Sequence, residues 1–279
     1  MVDYVVPGMI DSSAGALSNR NKIINGAMQI WQRGTSFSAT GNSYTADRFN
    51  SGGQTSTVTQ SSDAPTGFTY SMSIAANSAA YGTFEQRIES VNCVDLVGQS
   101  VTISFYAKAT TGGASGIVIA LSYANSVDNF SSTTSIGTST TSALTSTWTR
   151  YTATFNSLPS GAANGLRFFV YNNAGGSSAI TYLVTGVQLE KGSVATAFEY
   201  RNYQQELAMC QRYYQGTAST LAINSNQYQT IYFKCTMRAA PTMSYNGAGS
   251  FINNNVGAEA AYTYNASTTA FTYTASAEL

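Results

Sequence analysis

Hydrophobic and polar residues alternate in several stretches in the middle of the chain. VTISFYAK (101–108) puts apolar side chains at every second position, and WTRYTATF (148–155) and LRFFVY (166–171) keep that period. GIVIALSY (116–123) is a short apolar run that suits the centre of a sheet. A period of two that recurs between Gly, Ser and Asn turns is typical of a β-sandwich, so we predict one here.

The stretch AITYLVTGVQLEKG changes parity near its middle. The apolar positions of one parity are Ile180, Tyr182 and Val184, and those of the other are Val187 and Leu189. A β-bulge inserts one extra residue into a strand, and a bulge near Gly186 would return both sets to one face. We therefore predict a bulge at that glycine.

A helical period replaces the strand period in RNYQQELAMCQRYYQG (201–216). Asn202 can cap this helix and Gly216 can end it. The stripe at i, i+4, i+7 and i+11 consists of Tyr203, Leu207, Cys210 and Tyr214. We predict a short connecting helix over residues 201–216.

Four strand-like stretches with Asn and Gly turns follow: YQTIYFK, TMSYNG, AAYTYNA and AFTYTA. The pattern predicts an all-β protein with a β-sandwich over 21–200, the helix, and a smaller C-terminal β domain over 217–279. Residues 1–20 show no period and are interpreted as an N-terminal arm or linker. A β domain of about 65 residues is small for an independent core, so we expect a partner chain to stabilise it.

Charged residues make up only 9% of the chain, and the net charge is zero. The sequence has no basic stripe for nucleic acid and no polybasic patch for an anionic membrane. No apolar run approaches the ~20 residues that span a bilayer, and the first residues do not resemble a signal peptide. Neutral polar partners such as sugars suit this composition better.

Few residues offer catalytic chemistry. The chain has no histidine, which excludes Ser-His-Asp and Cys-His catalysis and histidine-based metal sites. On an extended strand Glu85 and Glu89 would lie about 13 Å apart, which is wider than a glycosidase needs. We expect them to flank Arg87 on a solvated face.

Cofactors are not predicted. Asp95 and Asp128 are the loop carboxylates that a structural calcium ion would use, but no ligand spacing supports such a site. Three cysteines stand far apart, at positions 93, 210 and 235, without a CxxC motif. They are interpreted as buried, reduced thiols of a protein made in a cytosol.

The stretches NGAMQIWQRGTSF (25–37) and YTADRF (44–49) have two interpretations. They form either an exposed sugar site or a structural lock in which an arginine pairs with Asp47 and an aromatic side chain covers the core edge. We favour the lock, because buried polar groups need such partners. Its residues are Trp31, Arg33, Tyr44, Asp47 and Arg48. We likewise expect a second group to fasten the last strand of the sandwich against the first: Glu190, Lys191, Glu199 and Arg201.

These two stretches resemble the start of a domain of phage and prophage tail proteins. GVQLEKGSVATAFEYRNYQQELAMCQRYYQ resembles its end and the helix that follows, and MRAAPTMSYNG and the final AEL resemble the C-terminal domain. The family comprises tail fibres and receptor-binding proteins with a carbohydrate-binding-module-like jelly roll. This chain departs from it at Phe49, where the family usually has Trp.

The resemblance implies a jelly-roll sandwich in a homotrimeric virion protein of the phage tail, made in the host cytoplasm. Such a protein attaches to other tail or baseplate proteins and adheres to host polysaccharide or lipopolysaccharide without cleaving it. Trimerisation would use the helix stripe and the C-terminal domain. The alternatives are a structural virion protein, such as a capsid-decorating or baseplate-linking subunit, and a polysaccharide depolymerase.

The C-terminal domain offers the aromatic and amide side chains that glycan recognition uses. We predict a glycan-binding site there. Its residues are Tyr245, Phe251, Asn253, Asn254, Tyr262 and Tyr264. The competing interpretation is that these tyrosines belong to the core or to trimer packing, because tyrosine buries a large area well.

Overall fold

The computed structural model describes most of the chain after the predicted arm, and residues 1–18 of that arm lie outside its description. The described ranges are 19–39, 43–51, 56–76, 82–111, 116–172, 180–216, 221–224, 226–247, 251–265 and 269–279. Two compact units emerge. Among the described residues, the first combines those up to Gln29 with those of Gly34–Tyr200 and Leu279, and the second combines Ile30–Arg33 with those of Arg201–Glu278.

The first unit is a jelly-roll β-sandwich of two antiparallel sheets. One sheet has, in spatial order, β1 (Ser36–Ala39), β4 (Ser56–Ser61), β5 (Ser71–Ala76), β12 (Ile180–Lys191), β7 (Val101–Thr111) and β10 (Thr149–Phe155). The other has β2 (Ser43–Tyr44), β3 (Asn50–Ser51), β6 (Thr83–Ile88), β11 (Leu166–Asn172), β8 (Gly116–Ser126) and β9 (Asn129–Ala143). Short 3-10 turns at Ser90–Asn92, Val94–Leu96 and Ser160–Asn164 join some of these strands.

The predicted alternation is confirmed in the core between the two sheets. The apolar positions of β7 and of β11 that share one parity are fully buried: Val101, Ile103, Phe105, Ala107, Leu166, Phe168 and Val170. Phe84 of β6 packs edge-on against Phe105 of the facing sheet, with ring centroids 6.3 Å apart. Interdigitated aromatic rings therefore join the layers.

The predicted bulge is also confirmed. The register of β12 against β7 shifts between Thr185 and Gln188. Gly186 has a φ of +64°, which favours glycine. A Cβ atom there would lie 2.7 Å from the Phe68 ring, so the bulge also requires a residue without a side chain.

The second unit contains helix α1 (Tyr203–Gln211) and two small sheets. One consists of β13 (Tyr214–Gly216), β19 (Thr269–Ser276) and β14 (Leu221–Ile223), with β16 (Thr242–Gly247) also paired to β19. The other has the order β15 (Gln227–Tyr232), β18 (Ala260–Asn265) and β17 (Phe251–Val256). A shared core that includes Ile231, Ala261, Phe271 and Tyr273 packs between them. No helix in the described part of the chain is long and apolar enough to cross a membrane.

The connecting helix is shorter than predicted. Asn202 caps it as expected, since its Oδ1 accepts a hydrogen bond from the Gln204 backbone N–H at 2.9 Å. The helix ends at Gln211, and Tyr214 opens strand β13. The buried Gln215 explains this end, because its Nε2 donates to the Gln211 carbonyl at 3.1 Å. Pairing with β19 then supplies the backbone bonds that further helix would have made.

The fastening of the sandwich differs in part from the prediction. Glu199 accepts the Asn21 N–H at 2.7 Å, and Glu190 lies 3.6 Å from Arg20, so both hold the segment before β1 rather than β1 itself. Arg201 belongs to the second unit, where it lies 3.4 Å from Glu206. Strand β1 instead pairs with β4, a contact that local sequence does not reveal.

Candidate functional site

The sheet of β15, β18 and β17 has one buried and one exposed face. Ile231 and Ala261 point into the core, with exposed fractions of 4% and 0%. The opposite parity carries four tyrosines, which we call the tyrosine face: Tyr228, Tyr232, Tyr262 and Tyr264. Three of these are 53%, 78% and 41% exposed in that order, and Tyr264 is half-buried. Strand alternation thus presents aromatic rings to solvent on one side of this sheet.

The tyrosine face contains a parallel pair of rings. Tyr228 and Tyr262 stack with centroids 5.0 Å apart and an interplanar angle of 2°. Tyr264 adjoins Tyr228 at 5.0 Å, and its hydroxyl donates to Asn226 Oδ1 at 2.8 Å. The pairing explains the stack, because Tyr228 lies opposite Tyr264 and therefore diagonal to Tyr262. These contacts hold the rings in place before any ligand arrives.

An open groove of about 510 Å³ borders Tyr262. Its polar lining comes from Thr230, Asn255 and Glu259, together with Thr236. In the sheet register, Thr230 and Asn255 are the two cross-strand partners of Tyr262. An exposed ring is therefore flanked by a hydroxyl group on one side and an amide group on the other.

Backbone hydrogen bonds fix the wall of the groove. The Phe233 N–H donates to the Glu259 carbonyl at 2.9 Å, and the Met237 N–H donates to the Ala258 carbonyl at 2.7 Å. The Gly257 N–H closes the β17–β18 turn on the Ala260 carbonyl at 2.9 Å. The Glu259 side chain remains exposed at the rim, where it can accept hydrogen bonds.

The six residues predicted to bind glycan divide between two environments. Tyr262 and Tyr264 lie on the tyrosine face. Tyr245 and Phe251 stack on each other with centroids 4.7 Å apart and pack against the core, and burial raises the pKa of the Tyr245 hydroxyl. Asn253 accepts the Tyr245 hydroxyl at 2.5 Å. The side chain of the sixth residue, Asn254, lies outside the described residues.

Six groups of this site were missed in the sequence: Tyr228, Thr230, Tyr232, Thr236, Asn255 and Glu259. The signal for the two tyrosines was present, because QYQTIY places Tyr228, Thr230 and Tyr232 at one parity and the apolar Ile231 at the other. Glu259 carries no comparable signal, since its position depends on how the β17–β18 turn folds.

The five lock residues belong to two units. In the first, Asp47 and Arg48 are each 1% exposed, and Arg48 donates to the Arg87 carbonyl at 2.7 Å. Such burial favours a structural role over sugar binding. The Tyr44 hydroxyl donates to the Leu279 carbonyl at 3.1 Å in the same unit.

The other two lock residues, Trp31 and Arg33, belong to the second unit. Arg33 forms an ion pair with Glu278 at 3.0 Å, not with Asp47. Its guanidinium group also lies 3.5 Å from the ring centroid of Tyr214. Trp31 is half-buried.

The backbone contacts of Asn25 and Gly26 explain why these two residue types occur at these positions. Asn25 is fully buried with a φ of +60°, and its Nδ2 donates to the Asp47 carbonyl at 3.1 Å. Gly26 accepts the Val187 N–H at 2.9 Å, and a Cβ atom on it would lie 2.1 Å from the Val187 carbonyl oxygen. The motif therefore closes the backbone onto β12.

The expectation that Glu85 lies on a solvated face is wrong. Glu85 is 1% exposed and is paired with Arg87 at 3.0 Å and with Arg167, whose Nε donates at 2.6 Å. The pairing of β11 with β6 places Arg167 opposite Arg87, and this non-local contact buries the carboxylate. Glu89 follows the end of β6 and is also buried.

The two carboxylates considered as calcium ligands, Asp95 and Asp128, contact other groups of the protein. Asp95 forms an ion pair with Lys22 at 3.0 Å, and Asp128 accepts the Ser90 N–H at 2.7 Å. Among the described residues, no three Cys, Asp or Glu side chains gather as a metal site.

The cysteines and the helix stripe vary in exposure. All three thiols are free, and Cys93 and Cys210 are buried as expected, but Cys235 is partly exposed. Along the stripe predicted for trimerisation, Tyr203 is 51% exposed and Leu207 is half-buried. Tyr214, beneath Arg33, lies beyond the helix.

Comparisons with known proteins return weak structural similarity. No protein-family model matches the chain, and no curated protein does either. The enzymatically active domain of tailspike protein 4 from bacteriophage CBA120 is similar with a TM-score of 0.43 and 18% identity, over 62% of this chain and 22% of that one. This chain thus spans less than a quarter of that domain.

Two carbohydrate-binding modules are similar over more of their own length. One, of family 4, has a TM-score of 0.39 and 18% identity over 60% of this chain and 98% of the module. The other is a family 22 xylan-binding domain from Paenibacillus barcinonensis, with a TM-score of 0.37 and 14% identity over 58% and 94%. Because each of these TM-scores is below 0.5, none of them assigns a function to this chain.

Proposed function

We propose that this chain is a phage tail-fibre or receptor-binding protein that adheres to a host cell-surface glycan without cleaving it. The observation that carries the proposal is the pair of parallel, exposed rings of Tyr228 and Tyr262 beside a polar groove. Rigid tyrosines offer a large contact area at a low entropic cost, and their rings can pack against the C–H face of a sugar. Hydroxyl and amide groups beside the ring can then bond the sugar hydroxyls.

Adhesion by this face requires several copies. A shallow site of one ring pair and a few neutral hydrogen bonds, each worth about 0.5–1.5 kcal/mol, binds a sugar weakly. We therefore propose a homotrimer in the virion tail, attached to other tail or baseplate proteins after synthesis in the host cytoplasm. Multiple copies raise the effective concentration of each site and hence the avidity.

The groove favours binding over hydrolysis. Glycosidases use two carboxyl groups placed across the scissile bond. Among the described residues that line the groove, Glu259 is the only carboxylate. This disfavours the depolymerase alternative for this site.

A structural virion protein is the second candidate. The tyrosine face, together with Ile252 at 51% exposure, is an apolar patch of the kind that subunit contacts cover. In that case the face would pack against another chain and would not be available to a glycan.

A binding assay with matched variants separates these candidates. The full chain is exposed to a panel of immobilised bacterial surface polysaccharides and lipopolysaccharides, and its mass is measured by light scattering. We expect a trimer that binds at least one glycan. The double variant Tyr228→Ala/Tyr262→Ala should keep the trimer mass and bind about tenfold more weakly, which corresponds to 1.4 kcal/mol.

Tyr200→Ala is the control, because it removes an exposed tyrosine that lies in the first unit, outside both the tyrosine face and the helix stripe. It should bind like the unaltered chain. A trimer that binds nothing on the panel would contradict adhesion, and loss of the trimer in the double variant would favour the structural alternative.

A further inference from the structure

We infer that the tyrosine face and its groove take an uncharged pyranose chain and reject glycans that carry carboxylate or phosphate groups. This inference rests on the proposed function and names the substrate class of the same site. The observation that carries it is the distribution of charge around the face.

The sheet itself lacks cations. Its three strands read QYQTIY, FINNNV and AAYTYN, without one Lys, Arg, Asp or Glu. The charge nearest to Tyr262 along the chain is Glu259, whose carboxylate lines the groove. An anionic sugar laid on Tyr262 would lose water without gaining a cation, and it would be repelled by that carboxylate.

The five basic residues of the second unit have contacts outside the groove. Arg33 pairs with Glu278 and Arg201 with Glu206. The remaining three contact other groups: Arg238 Nε donates to the Ala277 carbonyl at 2.8 Å, Arg212 lies 5.7 Å from the Tyr213 ring centroid, and Lys234 Nζ lies 3.5 Å from the Gly216 carbonyl oxygen. None of the five lines the groove.

The polar groups that do line the groove suit neutral hydroxyls. Cross-strand neighbours in a sheet are separated by about 5 Å, so Thr230 and Asn255 each lie about 5 Å from Tyr262, one on either side of it. A threonine hydroxyl and an asparagine amide can each donate and accept. The Glu259 carboxylate can only accept, and two adjacent sugar hydroxyls can donate to it together.

Glu259 therefore acts as the selectivity determinant of the site. Glu259→Gln keeps one carbonyl acceptor and removes the charge, and Glu259→Lys reverses the charge. The side chain is exposed, so both substitutions should leave the fold and the trimer intact.

The test sorts the polysaccharide panel by charge. Neutral glucans, mannans and galactans are compared with polyuronates, sialic-acid polymers and phosphate-bearing polymers at 20 and 200 mM NaCl. We expect the unaltered chain to bind only neutral polymers, with less than about a threefold change between the two salt concentrations, because no ion pair is screened. Glu259→Lys should gain about tenfold in binding to anionic polymers at low salt and lose the gain at high salt, whereas Glu259→Gln should gain less.

The outcomes distinguish this inference from the proposed function. Preferential binding of anionic polymers that Tyr262→Ala abolishes would overturn the charge inference and leave adhesion by this face intact. Binding to neutral polymers that Tyr262→Ala leaves unchanged would place the site elsewhere and overturn both. Absence of binding to every polymer would overturn the proposed function, and the inference with it.

Discussion

Replacing Gly26 by alanine is expected to destabilise the first unit by about 3 kcal/mol. The new Cβ atom would lie 2.1 Å from the Val187 carbonyl oxygen, a separation that real Cβ atoms do not show. The backbone must move, and the hydrogen bond from the Val187 N–H to the Gly26 carbonyl, now 2.9 Å, is then lost. A buried backbone group left without a partner costs about 1–3 kcal/mol, and displaced packing adds about 1–3 kcal/mol.

Gly137→Ala is the matched control in the same unit. A Cβ atom on Gly137 would lie 3.5 Å from the Phe155 ring, which is ordinary van der Waals contact. Gly137→Ala should change the free energy of unfolding by no more than about 1 kcal/mol, because any loss of packing is offset by the lower conformational entropy of alanine in the unfolded chain.

Urea unfolding followed by circular dichroism measures both variants. With a slope of about 2 kcal/mol per molar urea, a loss of about 3 kcal/mol lowers the midpoint by about 1.5 M. A Gly26→Ala midpoint within about 0.3 M of the unaltered chain would refute the close approach of the NG motif to β12.

Three further predictions concern charge and thiols in the first unit and at Cys235. Glu85→Gln leaves Arg87 and Arg167 without their shared carboxylate, so it should lower the free energy of unfolding, measured in urea, by about 2–4 kcal/mol. A decrease under about 0.5 kcal/mol would contradict the buried pairing. Asp63→Asn should lower the free energy of unfolding by less than about 1 kcal/mol at pH 7, because the ion pair of Asp63 with Lys108 is partly exposed. The hydrogen bond from Lys108 lowers the pKa of Asp63 in the folded protein. The stabilisation by the Asp63 carboxylate is therefore present above the carboxyl pKa of the unfolded chain and is lost as the pH falls through the lower pKa of the folded protein. A stability difference between Asp63→Asn and the unaltered chain that grows in acid would contradict this. Burial raises the pKa of the Cys93 thiol to about 12, so a thiol reagent at pH 8 should label the partly exposed Cys235 first, and faster labelling of Cys93 in the folded protein would contradict its burial.

Local patterns in the sequence predicted the parts of the fold that depend on neighbouring residues. The alternation in VTISFYAK identified its buried face, and the parity change in β12 identified the bulge at Gly186, because both signals lie within one strand. The N-cap at Asn202 was found for the same reason. The all-β character and the sandwich followed from these local features.

Contacts between distant segments were not predictable in this way. The burial of Glu85 depends on Arg167 from a strand about eighty residues away, and no local period reports that pairing. The end of α1 was missed because the side chain of Gln215 and the pairing with β19 decide it. Tertiary contacts override the helical period there.

Only part of the candidate site was predicted, because strand register decides which tyrosines are exposed. Tyr245 and Tyr262 occur in similar Tyr- and Asn-rich strands, but the register places one against the core and the other on the tyrosine face. Composition cannot separate them. The parity of QYQTIY, read against its apolar Ile231, is the signal that identifies the exposed side.

Direct contact between the tyrosine face and a glycan can be measured by NMR of the tyrosine rings. The full chain is labelled at its tyrosine rings, signals are assigned with single Tyr→Phe variants, and oligosaccharides from the best-binding polysaccharide are added. We expect shifts of the Tyr228 and Tyr262 ring signals that saturate with ligand, while the Tyr203 signal stays in place. Saturable shifts confined to tyrosines of the first unit, with Tyr228 and Tyr262 unmoved, would contradict direct contact at the tyrosine face.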